Sequence, residues 1–147
     1  MVKKEIMYHT EFATRDALFK GATDFLVSKG FATEEFEEAL KDREERFPTG
    51  LPTSPATAIP HSDGTYAKED VLLCISNKTP IQFYEMGSKK ERTVEAKVIF
   101  ILLVDDKITH LEQLQRLMEK TRDIDFLSRL QEATTEAEFK KIFETEF

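Results

Sequence analysis

The sequence predicts an α/β protein (α+β in some schemes), a three-layer sandwich in which a mixed β-sheet is flanked by helices on both faces. Three observations carry this prediction: helical spacing of apolar residues before Pro48, strand-sized apolar runs between Thr57 and Val104, and helical spacing with capping signatures after Asp106. Two groups of amphipathic helices around a sheet-forming middle have two sheet faces to cover.

The elements follow in order. Asp16 to Lys29 repeats Leu18, Ala22, Phe25 and Leu26 at the spacing of one helical face, and Gly30 is a natural stop. A second helix is expected to follow, with Thr33 as its cap, Glu34 and Glu35 at its positive end, and Phe36, Leu40, Arg43 and Phe47 forming an inward stripe. Arg43 is out of character there. Either its guanidinium points into the protein, or its aliphatic stem covers apolar surface while its head reaches water. Pro48 closes the helix and is the first of four of the five prolines, the last being Pro60, that run through an ordered loop. Pro60 biases Ile59 to extended geometry, so Ala58-Ile59 reads as a strand end and Asp63-Gly64 as a turn, with His61 held between them on a stiff backbone.

Strands are expected at "VLLCIS" from Val71, at "IQFYEM" from Ile81 and at "KVIFILLV" ending at Val104, with "MGSKKERTVEA" as an exposed connection. The near-continuous apolar run of the last marks a central strand buried on both faces. Thr109-His110-Leu111-Glu112 matches a capping box, which makes Thr109 the cap, His110 the first helical residue, and Leu111, Leu114, Leu117 and Met118 the buried face. Two more helices are expected, one around Asp125 to Leu130 and one capped by Thr135 with Phe139, Ile142 and Phe143 inward.

A chain of 147 residues fits one domain, 1–147. The single cysteine, Cys74, can form no internal disulfide and sits in an apolar run as a small core residue. "MVKKEIMYHTEF" lacks the apolar block of a signal peptide, and the longest apolar stretch, Val98 to Val104, is far too short to cross a bilayer, so a cytoplasmic protein is expected. A net charge of −7 with scattered basic residues excludes nucleic acid as the expected partner.

Walker A, G-x-S-x-G, H-E-x-x-H and paired CxxC signatures are all absent, and the three histidines are too far apart in the chain to make a metal spacing. His9 has no neighbours that invite a role. What remains is His61 on a rigid turn, His110 at a helix start and Arg43 on an inward stripe. A neutral imidazole nitrogen is a nucleophile near pH 7, and the three oxygens of a phosphoryl group need donors already in place, so these three suit a transient phosphoryl acceptor.

The stretch "DREERFPTGLPTSPATAIPHSDG" resembles the active-site region of the IIA component of the bacterial sugar phosphotransferase system, fructose-mannitol superfamily. Its "R-E-x-x-F-P-T-G" part is most similar to the galactitol-type branch, and the likeness continues through "VIFILLV", "H-L-E-Q-L-Q-R-L" and "D-F-L-S-R-L". The resemblance implies a single IIA type-2 domain in which His61 is the phosphorylated histidine, Arg43 the phosphate-site arginine, and His110 the second histidine of mannitol- and fructose-type members. It implies a phosphotransferase that accepts a phosphoryl group from the carrier protein HPr and passes it to a cysteine of the IIB component, with no metal or nucleotide. The alternative within the family is a nitrogen-type regulator that binds other proteins according to its phosphorylation state. The loop from Thr49 to His61 is about two residues longer than the mannitol-type pattern, and galactitol-type members can lack the second histidine.

Overall fold

The computed structural model describes residues 2–63 and 65–147; the glycine of the expected Asp63-Gly64 turn lies outside the described residues. Five strands form a mixed sheet. In chain order they are β1 (Lys3–Thr10), β2 (Gly50–Leu51), β3 (Thr57–Ala58), β4 (Val71–Tyr84) and β5 (Thr93–Leu103), and in space they run β1-β4-β5-β3-β2. β1 is parallel to β4 and β3 is parallel to β5, while β4 with β5 and β2 with β3 are antiparallel.

Alternation along the central strands sorts their side chains into two cores. Val71, Leu73, Ile75, Ile99, Ile101 and Leu103 face helices α1 (Arg15–Ser28) and α2 (Phe36–Arg46), packing on Leu18, Phe19, Leu26, Phe36 and Leu40. Leu72, Cys74, Val98, Phe100 and Leu102 face α3 (Lys107–Lys120), α4 (Ile124–Glu132) and α5 (Glu136–Glu146), packing on Leu117, Phe126, Leu127, Phe139 and Phe143. This is the three-layer sandwich. Each fully buried phenylalanine contributes about 1.5–3 kcal/mol by leaving water. The Cys74 thiol lies in the second core, its pKa pushed well up by burial.

Local signals explain where the helices begin and end. Thr14 caps α1 by accepting from the Ala17 N–H at 3.1 Å. Gly30 ends it in the left-handed region at φ 77°, where its N–H reaches the Val27 carbonyl and that of Phe31 reaches Leu26, the double bond of a Schellman turn. Thr135 caps α5 as expected, bonding the Glu138 N–H at 3.1 Å.

Several expectations need correction. β1 was not anticipated: it is an edge strand whose side chains are mostly half-buried, so it lacks a strong apolar pattern. "VLLCIS" and "IQFYEM" are two parts of one strand, β4, joined through a register shift between Ser76 and Ile81 that accommodates Pro80. The expected connection 86–96 is shorter, because β5 begins at Thr93 and buries Val94 and Ala96. Thr33 does not cap α2: Glu35 occupies that position without a side-chain cap, and Phe36 donates to the Thr33 carbonyl instead. Phe47 is not inward; it lies beyond the last helical residue, where the backbone leaves helical geometry, and is 54% exposed.

The N-terminal end of α3 is also one turn earlier than expected. Asp106, not Thr109, caps it, its carboxylate accepting from both the N–H and the hydroxyl of Thr109 at 2.9 Å each. A carboxylate is a stronger acceptor than a hydroxyl, so it takes the position. His110 is therefore the fourth helical residue, its own N–H bonded to the Asp106 carbonyl at 2.8 Å. The turn also rotates Leu111 outward to 56% exposure, leaving Leu117 buried and Leu114 and Met118 partly so. Among the described residues no helix is long and apolar enough to cross a membrane.

Candidate functional site

His61 lies just beyond β3, at the same end of the sheet as the carboxyl end of its parallel neighbour β5. There ligands of α/β folds commonly gather. Two backbone bonds fix its approach: Ile59 N–H donates to the Thr49 carbonyl at 3.2 Å, and Leu102 N–H donates to the Pro60 carbonyl at 3.2 Å. The ring then closes a third, with Nδ1 2.8 Å from the Ile59 carbonyl oxygen. A carbonyl only accepts, so Nδ1 carries the proton and Nε2 keeps the lone pair.

Arg43, in the last turn of α2, brings its Nη2 to 3.3 Å from that Nε2. The guanidinium is held on its other sides. Its Nε pairs with the Asp63 carboxylate at 3.1 Å, its Nη1 donates to the Phe47 carbonyl at 3.4 Å, and its carbon stacks 4.5 Å from the centre of the Phe47 ring. Phe47 thus serves as the plate beneath the arginine rather than as core. Asp63, expected as turn chemistry or as an orienter of His61, pairs instead with the arginine.

His110 reaches the site from the opposite layer, its ring centre 5.3 Å from that of His61 and inclined by 59°. Its Nε2 is buried and makes no hydrogen bond among the described residues. A cleft of about 200 Å³ opens beside it, lined by Ser62, Asp63, Val104, Asp105, Lys107 and His110. Asp105 shapes the rim by accepting the N–H groups of Tyr66 and Ala67 at 2.9 and 3.0 Å.

Charge and burial set both imidazoles in the same direction. Burial lowers the pKa of His61 below its ordinary 6.5, the Ile59 carbonyl and Asp63 opposing and Arg43 and His110 adding to the shift. Burial likewise lowers that of His110, where Asp63 and Asp105 oppose and Arg43 adds. Both rings are accordingly neutral at pH 7. The site can therefore offer one lone pair, one permanent cation and one free imidazole nitrogen within a few ångströms. His9 lies elsewhere, in β1, stacked on Tyr8 at 3.8 Å. Among the described residues, no three His, Cys, Asp or Glu side chains gather in a metal-holding group.

Glu44, to which the sequence assigns no role, is 7% exposed and holds both the N–H and the hydroxyl of Thr49 at 2.8 Å. The signal was a glutamate beside the inward arginine, one turn after Leu40 and five residues before a threonine. Burial raises its carboxyl pKa, against the bonds from Thr49 and the charges of Arg15 and Arg43.

Comparison with known proteins gives the family and the fold. The galactitol-specific EIIA component of Escherichia coli strain K12 is 24% identical over 120 residues, which are 81% of this chain and 79% of that protein. Among solved structures, the Escherichia coli mannitol IIA in complex with phosphorylated IIB superposes with a TM-score of 0.78 at 19% identity, covering 96% of this chain and 94% of that one. The nitrogen regulatory protein IIA-Ntr of Neisseria meningitidis gives 0.72 at 26% identity, covering 95% and 90%. The family model for the phosphoenolpyruvate-dependent sugar phosphotransferase system, EIIA 2, matches residues 1–146, so the chain belongs to that family of phosphohistidine-carrying phosphotransferases.

Proposed function

We propose that this chain is the phosphoryl carrier of a sugar phosphotransferase system, taking the group from phospho-HPr onto His61 and giving it to a cysteine of a IIB component during uptake of a galactitol-like sugar or polyol. The observation that carries the reading is the pairing of the Nδ1–H bond to the Ile59 carbonyl with Arg43 Nη2 at Nε2. The first fixes the nucleophile; the second supplies a donor at the place where phosphoryl charge arrives.

In the transfer, the Nε2 lone pair of His61 attacks phosphorus in line as the donor's P–N bond breaks, and the donor's nitrogen keeps that electron pair. His61 becomes cationic, still protonated at Nδ1, and the Ile59 carbonyl stabilises the charge. Arg43, held in place by Asp63 and Phe47, passes its Nη2 donor from the ring nitrogen to the phosphoryl oxygens, a charge-assisted bond. His110 binds a further oxygen through Nε2, which takes the tautomer that donates. Passage to a thiolate reverses the attack and returns the electron pair to Nε2.

Both partners must dock and leave. The exposed apolar side chains on the site's own segments, Phe47 after α2 and Ile108 and Leu111 on α3, supply a small apolar face with polar surroundings. Support for the IIB partner comes from the mannitol IIA of similar fold, which is described in complex with phosphorylated IIB. Support for the substrate class comes from the galactitol-specific relative and the "R-E-x-x-F-P-T-G" stretch.

The test is incubation with phosphorylated HPr, followed by acid and base treatment of the labelled protein. Acid-labile, base-stable label that vanishes in His61→Ala is the expected result; label surviving that substitution removes the assignment. A second reading, a nitrogen-type regulator, draws on the Neisseria IIA-Ntr likeness. Capture of a IIB protein supports the carrier, whereas capture of a kinase or channel subunit supports the regulator.

A further inference from the structure

Glu44 is a buried carboxylate that the transfer chemistry above does not use, although it stands next to Arg43 on α2. It does not pair with that arginine. Its two oxygens are spent on Thr49, one on the N–H and one on the hydroxyl, each at 2.8 Å. The Thr49 carbonyl accepts from Ile59 N–H at 3.2 Å, and the Ile59 carbonyl accepts from His61 Nδ1 at 2.8 Å.

We propose that Glu44 is a positioning residue for His61, acting through Thr49 and Ile59 to hold the Ile59 carbonyl where it fixes the histidine tautomer. This rests on the reading of His61 as the phosphoryl acceptor. The connection is mechanical. Thr49 and Ile59 each contribute a donor and an acceptor on opposite sides of one Cα, so a shift of one bond is passed on as a rotation of the residue.

The ends of the relay are anchored differently. At one end α2 packs Phe36 and Leu40 into the core, so Glu44 rides on a rigid element. At the other, β2 and β3 are only two residues each, so the segment has little ladder beyond the β3–β5 pairing and the Leu102–Pro60 bond, and neither of these reaches the Ile59 carbonyl. Gly50, just after Thr49, fits against the Tyr84 carbonyl with no room for a Cβ, which would stand 2.6 Å from that oxygen. The segment is thus pressed against the sheet at Gly50 and tied to the helix at Thr49. Without the carboxylate, the Ile59 carbonyl loses its brace and the ring is free to move its proton to Nε2. That tautomer has no lone pair at Nε2, the nitrogen beside Arg43, to offer a phosphoryl group.

The prediction distinguishes hydrogen bonding from charge. Glutamine at 44 keeps an oxygen for the Thr49 N–H and offers its amide N–H to the hydroxyl, whose rotor turns to accept. Alanine keeps neither.

The experiment reads the imidazole directly, by nitrogen NMR of the full-length unphosphorylated protein, together with amide exchange at Ile59 and the rate of labelling by phospho-HPr. In the parent protein His61 is expected to carry its proton on Nδ1. Glu44→Ala is expected to populate the Nε2–H tautomer, to speed Ile59 exchange about tenfold or more, and to slow labelling on the order of tenfold to a hundredfold. Glu44→Gln is expected to restore the tautomer and most of the rate. If Glu44→Ala does not fold, Thr49→Val serves, losing one bond of the relay and about fivefold in rate. Unchanged tautomer and Ile59 exchange in Glu44→Ala, or in Thr49→Val if that is the variant used, overturns the proposal. So does Glu44→Gln behaving like alanine. Neither outcome touches the carrier reading, which stands or falls on label in His61→Ala.

Discussion

Arg43 and His110 approach the same imidazole from opposite layers of the sandwich, and they are held in opposite ways. Arg43 is clamped at its Nε by Asp63, at Nη1 by the Phe47 carbonyl and on its face by the Phe47 ring. His110 has a buried Nε2 with no hydrogen-bond partner among the described residues. The first is a charge preorganised before any ligand arrives; the second is a group whose bonding capacity is unused until one does. Leaving a buried polar atom unpaired costs about 1–3 kcal/mol, so an incoming oxygen that satisfies it recovers that cost on binding. One arrangement serves the developing charge, the other the bound group.

The sharpest way to break this comparison is to remove the clamped partner. Arg43→Ala is expected to slow phosphoryl acceptance about a hundredfold to a thousandfold, the range for loss of a preorganised donor. Stopped-flow labelling with phospho-HPr measures it. A loss smaller than that of His110→Ala would invert the comparison.

Acid gives the next largest effect, because it charges the imidazoles and leaves the guanidinium unchanged. The pKa of His61 is lowered below 6.5 by burial, so acceptance holds through mildly acidic pH and then falls about tenfold per pH unit below the lowered value. The same shift has a stability consequence. Between the folded pKa and 6.5 the unfolded chain binds more protons at this site, so stability declines as pH falls through that window and its contribution is fully present above it. Urea unfolding at several pH values reads this directly, and His61→Gln should reduce the pH dependence, leaving the part that the similarly lowered His110 contributes.

His110→Leu is expected to cost about tenfold in labelling rate while leaving urea stability unchanged or slightly raised, since the buried unpaired nitrogen is gone. Equal losses of rate and stability would mean that His110 is core and not site. The smallest effect belongs to Phe47→Ala, which removes the plate under Arg43. A half-exposed cation–π contact is worth about 0.5–1 kcal/mol, so the rate should fall about two- to fivefold through Arg43 alone. Combined with Arg43→Ala, the phenylalanine substitution should add only what it contributes to docking.

Much of this molecule is legible from residue order. Leu18, Ala22 and Leu26 recur at helical spacing, Val98 to Val104 are apolar without interruption, and Gly30 and Thr135 mark helix ends by chemistry confined to a few neighbouring residues. Such features depend on local geometry, and local geometry follows from local sequence. His61, Arg43 and His110 also stood out singly, each for being a polar residue in an unexpected setting.

Two departures at helix ends share one cause, competition between acceptors or surfaces close together in the chain. Asp106 took the cap from Thr109, and Phe47 left the apolar stripe because the helix had already ended beneath it. β1 escaped notice because an edge strand is stabilised mostly by the hydrogen bonds it shares with β4, which its own side chains do not announce.

By itself the sequence determined the layers, the rigid turn that bears His61 and the kinds of group available. Only the tertiary structure decided that residues 43, 61 and 110 meet, that the imidazole presents Nε2, and that Glu44 reaches His61 through two peptide segments. The reason is physical. Periodicity is a property of neighbours along the chain, whereas a tautomer, a clamped guanidinium and an unpaired nitrogen are properties of neighbours in space, brought together by the burial of two separate cores.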